Sequence, residues 1–238
     1  MKHKSRFYRD YGDTCSFNVK LHTSDLFIRA DKNLKEEAFG ILKKVRGELE
    51  DYIAGRDEFL HSLNPVDPDG NEPQIVSEML IASSTAGVGP MAAVAGAIAE
   101  KVGAELLNFT DEVIVENGGD IWLKLNQPAV IGIYAKNIYF KDNIGIKIDP
   151  DKTPCSVCTS SSKLGHSISF GKADSVTIIG KKGALADAAA TAVCNMVQSR
   201  DNIEDALNFA VSIDGVSGCI IILNEILAVK GDIELVPL

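Results

Sequence analysis

The sequence predicts an α+β fold, and three observations carry that expectation. Strand-like segments come in runs of two or three separated by helices, without the strict strand–helix alternation of a doubly wound sheet. Apolar residues make up 45% and charged residues 24% of the 238 positions, the mixture of an ordinary globular chain. Two helical segments rich in alanine and glycine carry almost no charge, which marks them for burial against close neighbours.

The elements follow in order. Cys15–Leu21 alternates as a strand and Asp25–Ala30 follows after a short turn. Ala38, Ile41, Leu42, Val45, Leu49, Tyr52 and Ile53 then recur at helical spacing. Prolines and a glycine make 64–73 a loop. A helix over 75–86 ends near Gly87, and Pro90 opens the next one, which runs to about Leu107. Strands are expected at 112–116, 121–125, 130–135 and 144–148, a loop over 149–165, and strands again at 167–170 and 175–179. Helices over 183–197 and 202–211 precede a closing hairpin, 218–223 with 226–229. Met79–Ala99 carries no charge and is long enough to span a bilayer. Its apolar members are mostly alanine, among glycines, a proline and hydroxyl residues, so it reads as a buried, tightly packed helix pair.

Charge and cysteine usage exclude several classes of function. Acids outnumber bases 33 to 24, for a net charge of −9. Nucleic acids and anionic membranes call for the opposite sign. Five irregularly spaced cysteines, and no apolar run after Met1–Arg6, fit reduced thiols and a cytosolic location.

Four constellations could carry chemistry. In Gly87–Gly96 the glycines beside a helix start would offer backbone N–H groups to phosphate; the competing reading is a close helix crossing. Glu116-Asn117-Gly118-Gly119-Asp120 reads either as a tight hairpin or as a place where backbone approaches a ligand. Cys158-Thr159-Ser160-Ser161, with His166 beyond, is a surface loop or a set of hydroxyl and imidazole groups suited to phosphate. Asp187 and Thr191 stand four apart on an alanine-rich helix, a hard oxygen pair suited to Mg²⁺; the alternative is an acid favoured by its own helix dipole. Cys155 and Cys158 form a lone C-x-x-C that lacks the second ligand pair zinc needs.

Taken in order, Gly87–Gly96, Val115–Asp120, Cys158–Ser161, Gly165–Ser167 with Ser169–Asp174, and Ala186–Ala192 resemble an uncharacterised family of the ApbE-like superfamily, named for the flavin transferases. The resemblance implies one domain over 1–238, built of two interlocked α/β halves, about 1–110 and 111–238, with mixed or antiparallel sheets and a central cleft. It implies a flavin nucleotide, FAD or FMN, and Mg²⁺ in that cleft, because the transferases hold FAD and Mg²⁺ and move FMN onto a threonine of a partner protein. On the matching positions, Asp187 and Thr191 would serve the metal. Gly89, Met91, Glu116, Asn117, Gly118, Gly119, Asp120, Thr159, Ser160 and Ser161 would line the nucleotide site, and His166 and Cys158 would be the catalytic groups. Two departures stand out. Pro90-Met91-Ala92-Ala93 replaces the transferases' Lys-Gly-Tyr-Ala, and no Asp-Pro follows His166. Three functions therefore stay open: binding of a flavin nucleotide or related phosphorylated ligand, with transferase chemistry; sulfur handling at Cys158, as members of the family have been associated with sulfur assimilation; and a non-catalytic module that recognises a protein partner. The small-residue helix from Pro90 also suits a homo-oligomer interface.

Overall fold

The structure, a computed structural model, describes residues 15–135, 137–140, 143–162 and 171–238. Its frame is a sheet of eight strands in which every ladder is antiparallel. β1 (Cys15–Leu21) and β2 (Ser24–Ala30) lead into α1 (Lys35–Ile53), α2 (Asp57–His61), α3 (Gln74–Ala86) and α4 (Val94–Leu106). The chain returns as β3 (Val113–Asn117) and β4 (Asp120–Lys124). The second set repeats the plan: β7 (Cys155–Ser160) and β8 (Ser175–Gly180), then α5 (Gly183–Met196) and α6 (Ile203–Ser212), then β9 (Val216–Leu223) and β10 (Ile226–Gly231). Strand order is β1-β2-β3-β4-β7-β8-β9-β10, so β4 against β7 joins the two sets. The connection between them forms β5 (Ala129–Gly132) and β6 (Ile144–Ile148), which with β11 (Glu234–Pro237) make a separate three-stranded sheet.

Side-chain alternation divides the core into layers. Val115, Trp122, Cys158 and Ile178 point from the large sheet to the helices. Ile114, Leu123, Val157 and Ile179 point the other way, onto Ile131, Ile146 and Ile148 of the small sheet. A sheet covered on both faces needs no polar alternation. This explains the main correction to the sequence reading: the expected loop over 149–165 contains β7, a central strand. Its Cys-Ser-Val-Cys-Thr-Ser run has too few large apolar groups to announce a strand, yet all but Thr159 are buried. α2 and β11 were also not anticipated, and the expected strand at 167–170 lies outside the described residues.

The uncharged stretch is a helix pair, α3 and α4, bent by 105° across Gly87 and a 3₁₀ turn at Pro90–Ala93. Among the described residues no single helix is long and apolar enough to cross a membrane. The small residues of α4 serve contacts within the chain. A Cβ at Gly96 would lie 2.2 Å from the Gly183 carbonyl oxygen, and one at Gly183 would lie 2.2 Å from that of Gly96. The starts of α4 and α5 thus touch backbone to backbone.

Gly96→Ala therefore puts a methyl group into a backbone carbonyl that cannot rotate away. It should cost about 1–3 kcal/mol, the usual range for overpacking. Gly47 lies inside α1 with nothing near its Cβ direction, and Gly47→Ala should stabilise by roughly 0.5–1 kcal/mol. Thermal unfolding followed by circular dichroism should separate the two in opposite directions. Equal effects would contradict the crossing.

Candidate functional site

The site is built where the β3–β4 turn meets the starts of α4 and α5. Asn117 and Asp120 face each other across a two-residue turn, Gly118–Gly119. Gly118 has φ 76°, a left-handed conformation that favours glycine. The Asn117 Nδ2 donates to the Ala95 carbonyl at 3.2 Å, which fixes the turn against the first turn of α4. Asp120 lies on the same face, where its Oδ1 accepts the Thr159 N–H at 3.3 Å.

Two acids on the facing helices cap each other's starts. Asp187 of α5 accepts the Gly96 N–H through Oδ2 at 2.9 Å, and the Ala95 N–H also bonds it. Glu100 of α4 accepts the Gly183 N–H through Oε2 at 2.6 Å. Both N–H groups belong to helix starts, which leave their first donors without partners inside the helix. The dipole alternative for Asp187 thus holds in altered form: the helix start it neutralises is that of α4. Gly96, at the end of the Gly87–Gly96 segment, makes a close helix crossing, and the Ala95 and Gly96 donors are engaged by Asp187. Gly89 is walled by the Ser62 carbonyl, 1.8 Å from where a Cβ would stand, and Met91 is half-buried against the helix-side core.

The electrostatics single out Asp187 and Asp120. Glu100 has a counter-ion in Lys182, Nζ to Oε1 2.9 Å. Asp187 and Asp120 are buried near each other, and among the described residues no ion pair reaches either. Burial, reinforced by Glu116, pushes the Asp120 carboxyl up to about 7, against the bonds from Cys158 and Thr159. Burial and then Asp120 hold the Asp187 carboxyl well above the usual carboxylate range. One turn along α5, the Thr191 Oγ1 is buried without a hydrogen-bond partner among the described residues, and so is the Ser160 Oγ. Buried hydroxyls are ordinarily satisfied, so an orphan beside a carboxylate is a sign of chemistry left open.

The residues anticipated from sequence separate by face. Asn117, Asp120, Cys158, Ser160, Asp187 and Thr191 share the helix side. Glu116 and Thr159 point to the small-sheet side, where the Thr159 and Thr177 hydroxyls pair at 2.9 Å. Gly118 is exposed and Gly119 half-buried at the rim, Ser161 is buried just past β7, and His166 lies outside the described residues. Glu100, Lys182 and Gly183 were not anticipated. The signal was present in the spacing, since Gly96-x-x-x-Glu100 matches Gly183-x-x-x-Asp187.

The cysteine pair does not survive as a pair. Residues three apart on a strand face opposite ways, and Cys155 packs toward the small sheet while Cys158 packs toward the helices. The Cys158 thiol is fully buried, bonded to Asp120, and donates to the Gly183 carbonyl at 3.7 Å. Burial, then Asp120 and Asp187, push it well above the ordinary thiol range, the reverse of what activates a thiolate. Limited alkylation followed by mass spectrometry should label exposed Cys15 early and Cys158 only on unfolding. Fast labelling of native Cys158 would overturn this assignment.

Comparisons with known proteins agree with this architecture. The family model described as AbpE bacteria matches residues 6–228. A UPF0280 protein of Methanocaldococcus jannaschii is 44% identical over 208 residues, covering 85% of this chain and 84% of the relative. A UPF0280 protein of Methanopyrus kandleri is 38% identical over 223 residues, covering 91% and 90%. Among solved structures, the flavin transferase ApbE of Vibrio cholerae aligns with a TM-score of 0.61 at 12% identity, covering 92% of this chain and 97% of that one. The apo flavinyl transferase ApbE of Pseudomonas stutzeri aligns at 0.62 and 13%, covering 94% and 95%. At such identities the structural likeness is one of fold. With nearly its whole length matched by the family model, the chain belongs to the family described as AbpE bacteria, and its fold is ApbE-like.

Proposed function

We propose that the protein binds a flavin nucleotide together with Mg²⁺ at the Asp187 end of α5, and that the site serves nucleotide transfer of the FMN-transferase type. The observation that carries this reading is the buried Asp120–Asp187 pair, which no described cation neutralises, beside the orphan Thr191 hydroxyl. The fold likeness to two proteins named as flavin transferases supports the choice of ligand.

The residues present fit a hard cation. The Asp187 carboxylate, oriented by the Gly96 and Ala95 N–H groups, offers an anionic oxygen, and the Thr191 hydroxyl offers a neutral one. Oxygen donors of this kind suit Mg²⁺, which keeps waters and shares phosphate oxygens instead of demanding an all-protein cage. A bound Mg²⁺ would neutralise phosphate charge, the usual electrostatic contribution in such transfers. The protein's own share is positional. The α4 start orients Asp187, the Asn117 bond holds the glycine turn at the rim, and burial keeps water from the carboxylates. Sulfur handling at Cys158 has no comparable support, because its thiol is enclosed and held protonated.

Asp187→Asn keeps an oxygen for the Gly96 N–H while removing the charge. Calorimetric titration of FAD should show Mg²⁺-dependent binding to the wild-type protein. The variant should bind at least about tenfold more weakly, the scale on which changes around a metal lower its affinity. Equal affinities in Mg²⁺ and in EDTA would sink the reading. The acid pair also fixes a pH dependence. A carboxyl raised to about 7 in the folded state keeps its proton where the unfolded chain has released it. Its contribution to stability is therefore complete below about pH 4 and is lost as pH rises through about 7. In EDTA, the melting temperature of the wild type should fall relative to Asp120→Asn over that interval, and Mg²⁺ should restore it at the alkaline end. A constant difference between the two proteins would count against a buried, unneutralised pair.

A further inference from the structure

Glu100 lies on α4, and nothing in the proposed chemistry uses it. Its environment is nevertheless highly organised. The side chain is 11% exposed, Oε2 takes the Gly183 N–H and Oε1 takes the Lys182 ammonium. Gly183 is the first residue of α5, and Asp187 is one turn further along the same helix. Glu100 is in turn one turn along α4 from Gly96, whose N–H holds Asp187. The contacts close a ring: Gly96 to Asp187, back one turn to Gly183, across to Glu100, and back one turn to Gly96. Each half of the ring fixes where the other helix begins. At the crossing the two backbones meet at glycines, so the register there depends on the Asp187 and Glu100 contacts that span it.

We propose that Glu100 is a positioning residue for the Asp187–Thr191 site, setting the axial position of α5 by capping its start at Gly183. This rests on the reading that Asp187 and Thr191 take the cation. The hydrogen bond to Gly183, and not the ion pair to Lys182, is the working part of Glu100. Lys182 is largely exposed, with 64% of its side chain in solvent, where an ion pair contributes little. The Gly183 N–H is buried, and a buried donor without a partner is costly. Losing that cap removes the hydrogen bond that ties the first residue of α5 to α4, and any displacement of this first turn reaches Asp187, which lies one turn further along.

Variants separate positioning from simple structural support. Glu100→Gln keeps an acceptor for Gly183, Glu100→Asp keeps the charge but withdraws it by one methylene, and Glu100→Ala removes both. Lys182→Met removes only the ion pair. The readouts are Mn²⁺ affinity by electron paramagnetic resonance and FAD affinity in Mg²⁺ by calorimetry, both at a temperature where circular dichroism shows each variant folded. The expected order of affinity is wild type, Lys182→Met and Glu100→Gln together, then Glu100→Asp, then Glu100→Ala, which should be weaker by about tenfold or more, the range seen when a group orienting a metal ligand is removed. Should Glu100→Ala not fold, the Gln–Asp comparison carries the test. Wild-type affinity in Glu100→Asp and Glu100→Ala, whatever their melting temperatures, would overturn the proposal. So would a Glu100→Gln as weak as Glu100→Ala, since charge would then outweigh the cap. A wild-type protein that binds neither Mn²⁺ nor FAD would instead overturn the function proposed above, so the two failures are distinct.

Discussion

The constraint on which the rest of the structure depends is the contact between the starts of α4 and α5. Two helix starts carry partial positive charge of about half a unit each, and bringing them together is unfavourable unless anions intervene. The protein solves this with two glycines and two acids. Gly96 and Gly183 let the backbones touch, and Asp187 and Glu100 reach across to each other's free N–H groups. The acids are buried because the crossing is buried, and the crossing is stable because the acids are there. Once α5 is placed in this way, Cys158 lies against the Gly183 carbonyl, and the β3–β4 turn is tied by Asn117 to the start of α4.

The two halves share a plan but have diverged in what surrounds each acid. Beside Glu100 stands the ammonium of Lys182, and the residue four further along α4 is Ala104. Beside Asp187 stands a second carboxylate, Asp120, and the residue four further along α5 is Thr191. One position is neutralised and carries no further donor. The other carries a carboxylate pair that no cation among the described residues neutralises and a hydroxyl with no partner among them. A buried charge without a counter-ion is tolerated by taking up a proton or by meeting a cation from outside. The asymmetry therefore supports the proposed site without appeal to any single motif.

The physical character of each signal decided how much could be read from the sequence. α1, α3, α5 and the hairpin of β9 and β10 were legible because a one-sided apolar stripe or a compact apolar run states its own geometry. β7 was not, because a strand covered on both faces by helices and a second sheet shows no alternation, and its hydroxyls read as loop. Asp187 and Thr191 were legible as a pair, since helical spacing alone puts them on one face. The division of Glu116 from Asp120, and of Thr159 from Cys158, was not, because it depends on which side of the sheet each strand residue falls. Glu100 was hidden for another reason: a glutamate on a helix is ordinary until the glycine that it caps is seen to lie 83 residues away.

That distance also bears on how the site stays ordered. Asp187 and its donor Gly96 are 91 residues apart, and Asp120 and its donor Thr159 are 39 apart. None of these contacts exists in a local fragment, so the carboxylates come together only after both helices have packed on the completed sheet. The cost of confining two acids is thus borne by the whole fold, not by a loop beside the site. A loop can relieve such strain by moving away. Here the acids sit on a helix and on a central strand, both packed on each side, and the movement that would separate them would also open the glycine crossing. Proton uptake or a cation from outside is the relief that leaves the fold intact, and this is the physical ground for the cation site proposed at Asp120 and Asp187.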